Sequence, residues 1–138
     1  MVKKLKQMAQ NKATGGWRYQ PGDPGDTSVV GWQLMALKSG HLAYLRVPKE
    51  TILGAERFLD STQDNYGATY GYTGPGNGSA TSAIGLLCRL YMGWKPNHPA
   101  IVEGVNRLAK MGPSTDKISL ICMTSSSAAT RGAIFLPV

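Results

Sequence analysis

At 138 residues, 42% of them hydrophobic and 17% charged, the chain is the right size for one domain and too apolar for a disordered tail. The net charge of +7 is localised: Lys3, Lys4, Lys6, Lys12 and Arg18 fall in the first twenty positions with no acid among them, and without a basic face interleaved with aromatics this argues against nucleic-acid binding. No apolar run nears the roughly 20 residues of a membrane span, and residues 1–10 lack the apolar core of a secretory signal, so the expected location is cytoplasmic.

Along the chain, the first lysines read as a solvated helix end. Gly15-Gly16-Trp17 opens a glycine-rich loop that closes on Asp23-Pro24-Gly25-Asp26, where aspartate commonly shapes a turn or begins a helix. The spacing predicts a helix over 28–45 that is apolar nearly all round, with Gln33, Lys38, Ser39 and His41 the main exceptions and Thr27 or Ser28 as N-cap. A helix apolar on every face is expected to be buried on every face. Pro48 introduces a second helix, 49–60, with Ile52, Phe58 and Leu59 set among Lys49, Glu50, Glu56, Arg57 and Asp60. Gly74-Pro75-Gly76-Asn77-Gly78 lacks the Lys-Ser or Lys-Thr of a phosphate loop and reads as a turn. A third helix over 80–94 is again apolar all round, capped by Thr81 or Ser82 and interrupted chiefly by those two and Arg89. The fourth, 98–111, has Pro99 in its first turn, a stripe of Ile101, Val105 and Leu108, and Gly112-Pro113 as its stop.

The order repeats. Asp26-Thr27-Ser28-Val29-Val30-Gly31 recurs 54 residues on as Ala80-Thr81-Ser82-Ala83-Ile84-Gly85, and the Gly54 and Arg57 of the second helix recur 50 residues on as Gly104 and Arg107. Each copy is a glycine-rich loop, a buried helix, a turn and an amphipathic helix. That alternation predicts an all-α fold in which an outer row of helices covers an inner one.

With Phe58-Leu59 followed by Gln63, Gly67 and Tyr70, and with Gln10 followed by Gly15, Gly16 and Trp17, the punctuation resembles the repeats of squalene and oxidosqualene cyclases and of protein prenyltransferase β subunits. The stretch through Trp32-Gln33 looks especially like a bacterial squalene-cyclase or prenyltransferase-like repeat family. The resemblance covers about residues 5–115 and implies an α/α toroid, here an incomplete one of about two hairpins and part of a longer protein. It implies a structural repeat motif of Gln10, Gly16, Trp17, Gln63, Gly67 and Tyr70, in which each glutamine ties backbone left open at a helix end while an aromatic stacks over its amide. Trp32, Tyr44, Tyr91 and Trp94 are candidates to line a cavity for an apolar or isoprenoid ligand, by cation–π attraction as in the cyclases, or to be plain core.

The chemistry of those families is not spelled out here. Asp23-Pro24-Gly25-Asp26 is not the Asp-x-Asp-Asp acid of the cyclases, and Cys88 with His41 and His98 does not form the Asp, Cys and His zinc set of the prenyltransferases. Cys88 and Cys122 read as two buried thiols. No catalytic set, metal or cofactor is expected. The reading is a non-catalytic scaffold or binding module of a cyclase-like repeat protein, its partners being the remaining repeats or a second copy through exposed flanks. The alternative is part of an isoprenoid enzyme whose acid or metal ligands lie elsewhere. The repeats extend over 1–116. After Asp116 composition and register break, as a shifted reading frame or truncated gene would produce, and 117–138 is expected to dock loosely.

Overall fold

The computed structural model describes residues 9–112. The register break, the segment 117–138, Cys122 and the Lys3-Lys4-Lys6 cluster lie outside the described residues. Among the described residues four long α-helices run in order: α1 (Thr27–Leu42), α2 (Lys49–Thr62), α3 (Ser79–Tyr91) and α4 (Pro99–Met111). Between α2 and α3 sits a small antiparallel hairpin of β1 (Gln63–Asp64) and β2 (Thr69–Tyr70), with Gln63 opposite Tyr70 and Asp64 opposite Thr69. The all-α class therefore holds, with two two-residue strands as the sheet content of the described residues. No described helix is long and apolar enough to cross a membrane.

The main helix–helix contact is α1 against α3, while α2 packs on α1 and α4 on α3. The two apolar helices thus lie side by side and each is covered by its own amphipathic partner. Trp17, Leu34, Phe58, Leu59, Tyr70, Leu86 and Ile101 belong to one continuous core that crosses both copies. Burying side chains of this size is worth about 1.5–3 kcal/mol each before entropy is charged, so the shared core is what holds the copies together.

Three expectations change. All-round burial is found for α3, which has no exposed residue, but not for α1. Trp32, Ala36, Ser39 and Ala43, spaced to share one face, are exposed, and Trp32 keeps 62% of its surface in solvent. The reason is position: α3 packs on α1, α4 and β2, whereas α1 packs on α3 and α2 and leaves its Trp32 flank open among the described residues. Second, the N-caps shift. Asp26 caps α1, its Oδ1 accepting from the Val29 N–H at 2.9 Å, and α3 starts at Ser79 behind Gly78 with no side-chain cap. Third, α4 buries Ala100, Ile101 and Gly104 and leaves Val105 exposed. Glycine carries no weight in an apolar periodicity, so the true stripe, which is centred on Gly104, was displaced by one residue.

A candidate functional site at the repeat joints

Each copy has a joint where its loop meets the helices that follow. In the first, the Gln10 Nε2 donates to the carbonyls of Gly15 at 2.7 Å and of Thr51 at 3.0 Å, tying the loop to the first turn of α2. Gly15 lies so close to Gly54 that a Cβ on it would overlap the Gly54 backbone. In the second copy the approach is made from the other side: a Cβ on Gly104 of α4 would strike the Ala68 carbonyl of the loop and Leu86. Gly15 and Ala68 stand at matching places in their loops, as do Gly54 and Gly104 in their helices. The aromatic that follows each loop, Trp17 or Tyr70, is buried at 1% and 0% exposure.

The copies are also laced to each other. Thr27 donates its Oγ1 to the carbonyls of Gly71 (2.7 Å) and Tyr72 (3.0 Å), and its backbone N–H bonds Tyr72 as well. Its counterpart Thr81 donates to the Tyr70 carbonyl at 2.6 Å, and the Ser82 Oγ accepts from the Tyr70 N–H at 3.0 Å. Thr27, Thr81 and Ser82 are loop anchors placed in the first turn of their helices. The competition these residues offer to helix ends explains why they read as caps.

At the second joint the glutamine does not bond backbone. Gln63 instead accepts from Arg89 at 3.3 Å, and Arg89 is the centre of the site. Its Nε donates to the Tyr70 hydroxyl at 3.0 Å and its Nη2 to Asp60 Oδ1 at 2.5 Å. The guanidinium carbon lies 4.8 Å from the centre of the Trp94 ring, whose plane is stacked 4.1 Å from His98. Gly85, one turn before Arg89, leaves room for the Tyr70 ring, which a Cβ there would strike. Burial works against the charge on Arg89, yet the Tyr70 and Asp60 partners outweigh it and hold the group more basic than usual. Burial pushes the Tyr70 phenol up, with Arg89 pulling the other way. The neighbouring Cys88 thiol, fully buried, is pushed up to about 12 by the same desolvation, and at neutral pH it is a packed thiol rather than a nucleophile.

The sequence passed over Arg89 as an interruption of an apolar helix. A charge with no polar neighbours in its own helix, facing an aspartate and a tyrosine from an earlier segment, was the available signal. Of the candidate wall residues, Trp94 lies within this joint and Tyr91 is half-buried. Trp32 and Tyr44 are exposed, Tyr44 at 99%, so neither lines a cavity among the described residues. His98 is the N-cap of α4, accepting from the Ala100 N–H, and His41 lies on the exposed end of α1. Asp23 closes a turn with Gln20, and Asp26, buried at the start of α1, is 3.6 Å from Arg18. No three potential metal ligands cluster among the described residues. A cleft of about 180 Å³ beside the first joint is lined by Gln10, Asn11, Lys12, Glu50 and Arg57. That lining is polar and charged, unlike the apolar wall an isoprenoid chain needs. Arg89, 1% exposed, commits its Nε and Nη2 to Tyr70, Asp60 and Gln63 and lies against the Trp94 ring.

Compared with family models, with curated proteins and with solved structures, the chain matches none.

Proposed function

We propose that the chain is a segment of a helical-hairpin repeat protein of the squalene-cyclase and prenyltransferase-like kind, working in the cytoplasm as a scaffold or binding module rather than as a catalyst. One observation carries the reading: the loops of the two copies dock alike, Gly15 on Gly54 and Ala68 on Gly104, each behind a glutamine and ahead of a buried aromatic. Loop-to-helix contacts recurring at matching positions along a chain are the means by which solenoids and toroids grow. Laying inner helix against inner helix, as α1 lies against α3, is the step that curves into an α/α toroid when more hairpins follow. The exposed Trp32 flank of α1 is the surface on which another hairpin, or a second copy, would continue the row.

Gln10, bonded to the Gly15 and Thr51 carbonyls, and Gln63 and Asp60, both bonded to Arg89, support the non-catalytic half of the proposal, because these side chains are engaged by their neighbours. The test is direct incubation with farnesyl diphosphate and with squalene, followed by product analysis. No conversion is expected. Turnover that Asp26→Ala abolishes would replace this reading with that of an isoprenoid enzyme.

A further inference from the structure

Five asparagines occur in the chain, and one of them, Asn77, is followed by glycine. Asn77 and Gly78 are both exposed and stand directly before the first residue of α3. Among the described residues the Asn77 amide makes no hydrogen bond and the Gly78 N–H has no acceptor. The other four asparagines are held. Asn11 donates to the Gly22 carbonyl and accepts from the Ala13 and Thr14 N–H groups, and Asn65 donates to Thr69. Asn97 is exposed, but the His98 N–H that follows it is bonded to the Lys95 carbonyl. Asn106 lies inside α4, where the backbone is fixed by helical hydrogen bonds.

A free asparagine amide beside a free glycine N–H is a reactive pair. The Gly78 nitrogen attacks Cγ of Asn77, and a new N–Cγ bond closes a five-membered succinimide. The Cγ–Nδ2 bond breaks, and ammonia leaves with the proton that Gly78 gave up. Water then opens the ring. Opening at Cγ leaves an aspartate, and opening at the main-chain carbonyl leaves an isoaspartyl link, in which the backbone is longer by one methylene. Glycine favours the closure because no side chain shields its nitrogen and its backbone reaches the ring geometry freely. The fold also requires glycine there, since a Cβ on Gly78 would lie 2.5 Å from Thr81 Oγ1.

The position gives the product a structural effect. The Gly78 carbonyl accepts from the Ser82 N–H at 2.8 Å and from Thr81 Oγ1 at 3.1 Å. Those same two side chains hold Tyr70 at the second joint. The start of α3 has no side-chain cap and no acid in its first turn, so an aspartate at 77 adds a favourable anion. An isoaspartyl link instead displaces the carbonyl from which the first turn hangs. We infer that Asn77-Gly78 is a self-modification site, at which the chain deamidates with water as co-reactant and so alters the anchorage of α3 on the second joint.

The test is timed incubation of the full chain at mildly alkaline pH, then digestion at acid pH and peptide mass mapping. The peptide carrying Asn77 is expected to gain the mass that –OH in place of –NH2 brings and to split into aspartyl and isoaspartyl forms. Peptides carrying Asn97 and Asn106 are expected to keep their masses. The native chain and the chain unfolded in urea are expected to react at similar rates, because the fold leaves the pair open. Asn77→Gln, which would have to close a six-membered ring, is expected to stay unmodified. The isoaspartyl fraction is expected to melt below Asn77→Gln, and Asn77→Asp at or above it. Asn77 converting no faster than Asn97, or protected in the native chain relative to urea, would overturn the inference. Equal melting of the isoaspartyl fraction and Asn77→Gln would overturn the effect on α3.

Discussion

Arg89 tolerates burial because its Nε and Nη2 meet acceptors and its face meets an indole. The Asp60 side chain is 54% exposed, so the ion pair is screened and is a minor part of the sum. The larger part is the buried hydrogen bond to Tyr70, whose loss leaves a donor stranded. Tyr70→Phe is accordingly expected to cost about 1–3 kcal/mol in a urea melt. Alkali acts on the same cluster. The Cys88 thiol ordinarily titrates near 9.0 and in the fold at about 12, and Tyr70 shifts upward in the same sense. As pH rises the unfolded chain gives up these protons first, so the folded state holds more of them and stability falls. The contribution is full below pH 9 and is lost between pH 9 and 12. Urea midpoints across that range are expected to drop, and less steeply in Cys88→Ala. A flat profile would mean that the thiol is not desolvated.

At the scale of elements, helix positions were legible to within a few residues because the 3.6-residue period and the Pro and Gly punctuation are local signals. Burial was not, because it depends on neighbours. The apolar patterns of α1 and α3 look alike, yet α3 is packed by α1, α4 and β2 while α1 has an open flank. Two tryptophans report the difference. Trp17→Ala is expected to cost about 3–5 kcal/mol as a buried ring, whereas Trp32→Ser is expected to stay within about 0.5 kcal/mol. In single-tryptophan variants, acrylamide should quench Trp32 readily and Trp17 poorly; equal quenching would contradict the packing. The displaced stripe of α4 gives a second check. Gly104→Leu is expected to cost roughly 1–3 kcal/mol by overpacking against Leu86 and the Ala68 carbonyl, while Val105→Leu is nearly silent in the same melts.

At the scale of the whole molecule, the 54-residue offset predicts two copies, and the resemblance implies Gln10, Trp17, Gln63 and Tyr70 as joint positions. What the sequence concealed is that the second joint is built differently from the first. Gln10 bonds backbone, while Gln63 shares a guanidinium with Asp60 and Tyr70, partners 29 and 19 residues away from Arg89. Pairing over such separations leaves no local trace in composition or period. The central claim is that this joint is a structural unit coupling the hairpin loop to α3. A double-mutant cycle of Tyr70→Phe and Arg89→Met, read by equilibrium urea unfolding, tests it most directly. The account predicts that the two losses fail to add, with a coupling of about 1–3 kcal/mol. Additivity to within about 0.5 kcal/mol would contradict it.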